Sequence, residues 1–157
     1  SGALGPGLLD DVATMRSLLP ADVPVALRGS SMGGWGAIAA AEPAGAAAVV
    51  AICPATSDGL ARGVRAGRFE FAAGPDLADA VAAVDLDDAA SRLGERLLLL
   101  HAEGDEVVPV EVSRHLHEIT PGSRLIVTPG GHHRSIQHDP ELQAFAARWL
   151  KNAFSRP

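Results

Sequence analysis

The chain has 157 residues, 47% of them hydrophobic, and a formal net charge of −6. This length and composition predict one domain with a well-formed core, and the absence of any run of Lys or Arg argues against a nucleic-acid partner. The single cysteine, Cys53, excludes an intrachain disulfide. No apolar stretch is long enough to cross a membrane and no signal peptide is visible, so we expect a cytoplasmic protein.

Strands and helices are predicted to alternate along the chain. The first helix covers residues 8–19, with apolar positions at helical spacing. Strands are predicted at residues 23–28, 46–53, 97–102 and 124–128, and helices at residues 32–42, 110–119 and 140–154. This alternation predicts a three-layer α/β/α sandwich with a short, mostly parallel sheet of about four strands. The last helix is expected to direct four apolar side chains inward, namely Leu142, Phe145, Trp149 and Phe154.

A glycine-flanked serine lies between the first predicted strand and the helix after it. Residues 29–33 read Gly-Ser-Ser-Met-Gly, and Ser31 is the serine with glycine two positions away on each side. Between a strand and a helix, this pattern is typical of a nucleophilic serine on a sharp turn. We expect both glycines to relieve crowding there, and the Met32 backbone N–H to face a developing oxyanion. A glycine-rich turn without chemistry is the alternative, because short matches arise by chance in a chain with 17 glycines.

Two later predicted strands also end in polar turns. The four leucines of the third strand run into a turn that carries Asp105, with Glu103 and Glu106 beside it. The fourth strand runs into a glycine pair followed by His132 and His133. A serine, an acid and a histidine therefore follow the carboxyl ends of predicted strands, which is the edge where open α/β sheets bind ligands.

Three segments together resemble the α/β-hydrolase superfamily. They are residues 29–33, the Gly-Asp-Glu-Val-Val-Pro stretch at residues 104–109, and the Gly-Gly-His-His-Arg-Ser stretch at residues 130–135. The resemblance covers almost the whole chain. It implies an α/β-hydrolase-like domain over residues 1–157 and a serine hydrolase acting on carboxylic esters with small or medium acyl groups.

The resemblance also implies roles for particular residues. Ser31 would be the nucleophile, His133 the general base and Asp105 the acid that orients the base, while the Met32 N–H would bind the oxyanion. The serine-containing continuation after the histidine pair favours His133 as the base, and His132 stays as the alternative. No cofactor is implied, and the expected partner is a small-molecule ester.

Other functions remain open at this point. A thioesterase, lactonase or peptidase would use the same triad, and a non-catalytic or weakly active module of this fold would bind a ligand or partner. We expect no metal site, because the nearby candidate ligands lack a helical pair directed at one point and no thiolate joins them. Those candidates are His132, His133, His138 and Asp139.

The interval at residues 54–96 is predicted to cover the site or the sheet. Residues 77–84 and 86–93 look helical, whereas residues 59–74 look irregular. In α/β-hydrolases this interval often forms a cap over the site, so the resemblance implies a cap here. A pair of helices that covers the sheet is the alternative.

The predicted sheet has fewer strands than the family usually carries before the serine turn. The strands that the family adds there include the loop that supplies a second oxyanion donor. A short sheet that is apolar on both faces would leave an edge able to pair with another chain. We therefore expect a homodimer or other homo-oligomer, most simply a two-fold dimer in which the partner covers this edge.

Overall fold

Four parallel strands form the centre of the structure, a computed structural model that describes residues 4–155. Neighbouring strands are in register, with Ser30 opposite Ile52 and Ala102 opposite Thr128. All four carboxyl ends therefore meet at one edge of the sheet. In spatial order the strands are β1 (Ala26–Ser30), β2 (Ala48–Ile52), β3 (Leu97–Ala102) and β4 (Arg124–Thr128).

The helices of the described chain cover both faces of this sheet. Because the strands follow one another in space, right-handed crossovers place the connecting helices on one face, and the last helix packs on the other. The helices are α1 (Leu8–Ser17), α2 (Met32–Ala39), α3 (Ser57–Arg65), α4 (Leu77–Ala82), α5 (Leu86–Ser91), α6 (Glu111–Glu118) and α7 (Pro140–Ala153). The predicted α/β sandwich with a short parallel sheet is confirmed. Within residues 4–155, no helix combines the length and apolar character needed to cross a bilayer.

The core lies on both sides of β2 and β3, whose residues are all buried. Val49 and Leu99 face the side that holds Trp35 of α2. Val50 and Leu98 belong to the cluster on the other side, against α7. Continuous apolar strands of this kind are typical of the middle of a parallel sheet, where both faces are covered.

The prediction of irregular chain over residues 59–74 is wrong for its first part, because α3 occupies it. Thr56 caps this helix, and its hydroxyl accepts a hydrogen bond from the Gly59 N–H at 3.0 Å. Glycines are weak helix formers, so they obscured the pattern. One of them, Gly63, packs directly against Phe69, where an added Cβ would lie 2.8 Å from the ring. The helices predicted at residues 77–84 and 86–93 are present as α4 and α5.

Other differences concern exposed apolar side chains. Phe154 is 41% exposed, so the prediction that it faces the core is wrong, although the other three residues predicted to face inward from α7 do pack there. The stripe on α1 is only partly used, since Met15 is 68% exposed. The first strand begins three residues later than predicted, because Val23 lies outside the sheet with 45% of its surface exposed.

Candidate active site

Ser31 lies at the turn between β1 and α2 in a strained backbone conformation. Its φ of 57° and ψ of −117° fall where residues other than glycine are rarely found. Hydrogen bonds hold the turn on both sides. The Ser31 N–H donates to the Ile52 carbonyl at 2.9 Å, and the Ser31 carbonyl accepts from the Ala55 N–H at 3.1 Å. The surrounding backbone therefore fixes this unusual conformation.

One of the two glycines around Ser31 is required by close packing. A Cβ on Gly29 would collide with the carbonyl of Gly33, so a larger residue does not fit. A Cβ on Gly33 would meet no described atom within 4 Å, whereas one on Gly34 would lie 3.1 Å from Cα of Pro54. The prediction that both motif glycines relieve crowding is therefore wrong for Gly33, and the next glycine makes the close contact instead.

The backbone N–H of Met32 is placed to meet a negative charge. Met32 is the first residue of α2, and the first N–H groups of a helix have no intrahelical acceptor. The positive end of the helix dipole lies at the same point. An oxyanion formed beside Ser31 would therefore find a donor here.

Asp105 lies in the turn after β3 with its side chain fully buried. One carboxylate oxygen accepts hydrogen bonds from the N–H groups of Val107 and Val108 at 2.8 and 2.9 Å. The other accepts from Nδ1 of His133 at 2.7 Å. Burial by itself would raise the pKa of Asp105, but the hydrogen bonds from Val108, His133, Val107 and the Cys53 thiol outweigh it and lower the pKa. The carboxylate is therefore ionised at neutral pH.

The loop that carries His133 is held against this acidic turn. Gly130 and Gly131 have φ of 66° and 74°, a region that glycine adopts without strain. The Gly104 N–H donates to the Gly130 carbonyl at 3.1 Å, and a Cβ on Gly104 would lie 2.6 Å from the Gly131 carbonyl. The His133 N–H donates to the Glu106 carboxylate at 3.3 Å. The glycines thus allow the close approach that brings acid and histidine together.

The two adjacent histidines have different surroundings. His133 bonds to Asp105 and its side chain is only 11% exposed. His132 is exposed, and its hydrogen bonds are made by its backbone with Ser135. Its N–H donates to the Ser135 hydroxyl at 2.9 Å, and its carbonyl accepts from that hydroxyl at 2.8 Å and from the Ser135 N–H at 2.9 Å. Of the two rings, His133 is therefore the one that the carboxylate orients. The flanking acid Glu103 is occupied elsewhere, in an ion pair with Arg114 at 2.8 Å.

A fully buried histidine, His101, is hydrogen-bonded to the turn that carries Asp105. The sequence analysis assigned this histidine no role. Nε2 of His101 lies 2.9 Å from the Val108 carbonyl, and Nδ1 lies 2.6 Å from the Ser113 hydroxyl. Because a carbonyl can only accept, Nε2 carries the proton and Nδ1 accepts from Ser113. Burial lowers the pKa of His101, although the Val108 hydrogen bond and the charge of Asp105 oppose it. A polar residue inside an otherwise apolar strand was the signal for this network.

Cys53 follows β2 and completes the buried surroundings of the acid. Its φ is 43°, and its sulfur, an Asp105 oxygen and a His133 ring nitrogen lie within 4.8 Å of one another. Among the described residues, these three side chains are the ones placed closely enough to share a metal ion. Burial raises the pKa of Cys53 to about 12, and metal binding requires the thiolate. The chemistry of this site therefore favours a protonated Cys53 thiol over a Cys53 thiolate that binds a metal ion.

Two cavities meet at Ser31. The His133 cavity, of about 440 Å³, is lined by Ser31, His133 and their neighbours, Glu106 and Arg134 among them. The α3 cavity, of about 340 Å³, runs from Ser31 along α3 and the segment at residues 107–109. Arg68, Phe69 and Val107 line both.

Several solved structures resemble this chain in overall fold. Est1E from Butyrivibrio proteoclasticus is 19% identical with a TM-score of 0.68, and the match covers 92% of this chain and 67% of Est1E. An esterase domain from Rhodothermus marinus is 22% identical with a TM-score of 0.69, over 95% and 71% of the two chains. MGS-MChE2, an alpha/beta hydrolase enzyme from a lagoon sediment metagenome, is 17% identical with a TM-score of 0.67, over 94% and 70%.

The chain has the α/β-hydrolase fold. It spans about two thirds of the length of these solved structures. No protein-family model and no curated protein sequence matches it. Within this fold, the residues predicted from the three motifs lie at one edge of the sheet. Asp105 and His133 are in direct contact, and Ser31 and His133 line the same cavity.

Proposed function

We propose that this α/β-hydrolase chain is a serine hydrolase that acts on carboxylic esters with small or medium acyl groups. One observation carries the proposal. A histidine whose Nδ1 is bonded to a buried carboxylate at 2.7 Å lines the same cavity as a serine in a strained strand–helix turn. Nucleophile, base and orienting acid are the three roles that acyl transfer requires.

The hydrogen bond between Asp105 and His133 sets the direction of proton transfer. An ionised carboxylate can only accept, so Nδ1 of His133 carries the proton and Nε2 is left to accept the proton of Ser31. Ser31 then attacks the ester carbonyl, and the Met32 N–H stabilises the oxyanion that forms. The bond to the leaving oxygen then breaks, His133 gives its proton to that oxygen, and the acyl group stays as an ester on Ser31. A water molecule that gives a proton to His133 attacks this ester, and His133 returns the proton to Ser31 as the acid is released.

The dimensions of the cavities support small or medium substrates. Volumes of about 440 and 340 Å³ lie near the lower end of the range for small-molecule sites. Est1E has also been solved with ferulic acid bound, and the Rhodothermus marinus structure is that of an esterase domain. Both are consistent with a carboxylic ester as the substrate of this chain. The cytoplasmic location and the homodimer stay predictions.

Labelling with a fluorophosphonate probe tests the proposal without a known substrate. The wild-type protein is expected to be labelled, and mass mapping should place the adduct on Ser31 rather than on the adjacent Ser30. Ser31→Ala should lose both the label and the hydrolysis of p-nitrophenyl butyrate. Ser91→Ala, an exposed position on α5, should keep both. A folded wild-type protein that takes no label and hydrolyses no ester would instead be the non-catalytic binding module.

A further inference from the structure

The α3 cavity combines apolar walls with two positive charges. Its walls include Leu60, Phe69 and Val108, and its charged members are Arg62 and Arg68. Among the described residues that line it, none is an aspartate or a glutamate. A ligand in this cavity therefore meets apolar surface and positive charge together.

Neither of these arginines is paired with a carboxylate among the described residues. Within residues 4–155, Arg62 and Arg68 form no ion pair and their guanidinium groups donate no hydrogen bond. Arg62 also borders a groove that contains acidic residues, whereas Arg68 does not. Arg68 is therefore expected to contribute more of the positive charge that a ligand in the α3 cavity meets. Several other surface arginines do have carboxylate partners: Arg65 pairs with Asp79, Arg92 with Asp88 and Arg114 with Glu103.

The backbone that carries both arginines is held in place. Arg62 lies within α3. Gly67 follows the end of that helix with a φ of 62°, and the Arg68 N–H donates to the Gly63 carbonyl at 3.0 Å. The next residue, Phe69, stacks on Phe71 with ring centroids 5.1 Å apart. Less backbone freedom is therefore lost when a ligand binds, which favours affinity.

The proposed mechanism decides which part of a substrate enters this cavity. The leaving group must accept a proton from His133, so it lies in the His133 cavity. The acyl chain then extends into the α3 cavity, which Ser31 lines and His133 does not. Arg68 borders both cavities, and the carboxylates distinguish them. The His133 cavity places the Glu106 carboxylate beside Arg68 and Arg134, whereas the α3 cavity has Arg62 and Arg68 with no carboxylate among its described lining residues.

We propose that the α3 cavity binds a carboxylate at the far end of the acyl chain, so that monoesters of dicarboxylic acids are the preferred substrates. This inference rests on the proposed hydrolase function. The apolar walls would cover the methylene groups of the acyl chain, and the guanidinium groups would pair with the terminal carboxylate, for which their planar geometry is suited.

Three esters of similar size test this assignment. The first is monoethyl adipate, with its carboxylate on the acyl side. The second is its neutral amide counterpart, ethyl 5-carbamoylpentanoate. The third is 4-butanoyloxybutanoate, with its carboxylate on the alcohol side. Monoethyl adipate is expected to have a kcat/KM about three- to thirtyfold above that of the amide, as two solvent-exposed ion pairs would provide. This ratio should fall as salt is added.

Variants identify the groups responsible. Arg68→Gln should lower the adipate-to-amide ratio several-fold and Arg62→Gln less, because the amide ester corrects each variant for any general loss of activity. Arg148→Gln, which removes an exposed arginine from α7, should leave the ratio unchanged. An equal ratio in the wild type and Arg68→Gln would overturn the inference, as would a preference for the carboxylate on the alcohol side.

The inference can fail separately from the proposed function. If both acyl-side esters are hydrolysed equally well, the charged subsite is wrong while the hydrolase stands. If no ester is hydrolysed, the hydrolase is wrong, and titration with adipate and adipamide, followed by NMR, decides the subsite. Tighter binding of adipate that is lost in Arg68→Gln would support it. Equal binding of the two compounds would overturn it.

Discussion

Replacing Asp105 with asparagine is expected to abolish most activity while leaving the fold intact. The carboxylate oxygen that faces the turn accepts two N–H groups, from Val107 and Val108. An asparagine that keeps its carbonyl oxygen there must direct its NH₂ group at Nδ1 of His133. Nδ1 would then have to accept, and the proton would move to Nε2, where it blocks the transfer from Ser31.

The alternative orientation of the asparagine is too costly to rescue the site. Turning the amide would restore an acceptor for His133 but would point the NH₂ group at the two N–H groups of the turn. Leaving two such groups unsatisfied costs about 1–3 kcal/mol each. The orientation of the asparagine that leaves the His133 proton on Nε2 is therefore the more stable one. We expect kcat to fall by about 10⁴-fold, equivalent to roughly 5 kcal/mol, as is typical when a triad histidine loses its tautomer control.

Asp139 provides a matched control for this experiment. One of its oxygens accepts from the Glu141 and Leu142 N–H groups, both at 2.9 Å, which is the arrangement seen at Asp105, but without a histidine on the other oxygen. Asparagine caps helices as well as aspartate does, so Asp139→Asn should keep kcat within about twofold. Ester hydrolysis and thermal unfolding of both variants give the comparison. If folded Asp105→Asn keeps a kcat within about tenfold of the wild type, the orienting role of Asp105 is wrong.

Three further predictions concern the base, stability and assembly. His133→Ala should remove ester hydrolysis and His132→Ala should retain most of it; the reverse pattern would make His132 the base. Because burial lowers the folded-state pKa of His101, the unfolded chain binds a proton first as the pH falls below about 6.5. The free energy of unfolding should therefore decrease below that pH, by at most about 1.4 kcal/mol per pH unit, and by less in His101→Gln; urea unfolding at pH 7.5 and 5.5 measures both. Sedimentation equilibrium at about 10–100 μM should detect a homodimer, and a monomer throughout that range contradicts the assembly.

The turns that carry the candidate site were predictable because each depends on local sequence. Apolar runs defined β3 and β4 to the residue, and the polar groups directly after them are those that meet at the sheet edge. Parallel pairing then brings these ends together without further information. The choice of His133 over His132 came instead from the resemblance to α/β-hydrolases, and the hydrogen bond from His133 to Asp105 is consistent with it.

Features that depend on contacts between distant segments were not predictable. The network around His101 joins β3 to Ser113, twelve residues later, and nothing near His101 in the sequence indicates that partner. The cations of the α3 cavity belong to a stretch that looked irregular because glycines interrupt it. The exposure of Phe154 depends on where α7 ends relative to the sheet, which helical spacing cannot determine.

The groups around Asp105, with Cys53 as the smallest contributor, explain how a buried acid can stay ionised. An isolated carboxylate in this environment would tend to take up a proton, because burial disfavours its charge. Four groups oppose this: two backbone N–H groups of the turn, the His133 ring and the Cys53 thiol. Toward Asp105 the thiol acts as a donor, since burial raises its pKa to about 12 and keeps its proton in place. Cys53 therefore helps to keep the Asp105 carboxylate ionised, in addition to filling space in the core. Its left-handed backbone conformation, with a φ of 43°, lies directly after β2, beside Asp105.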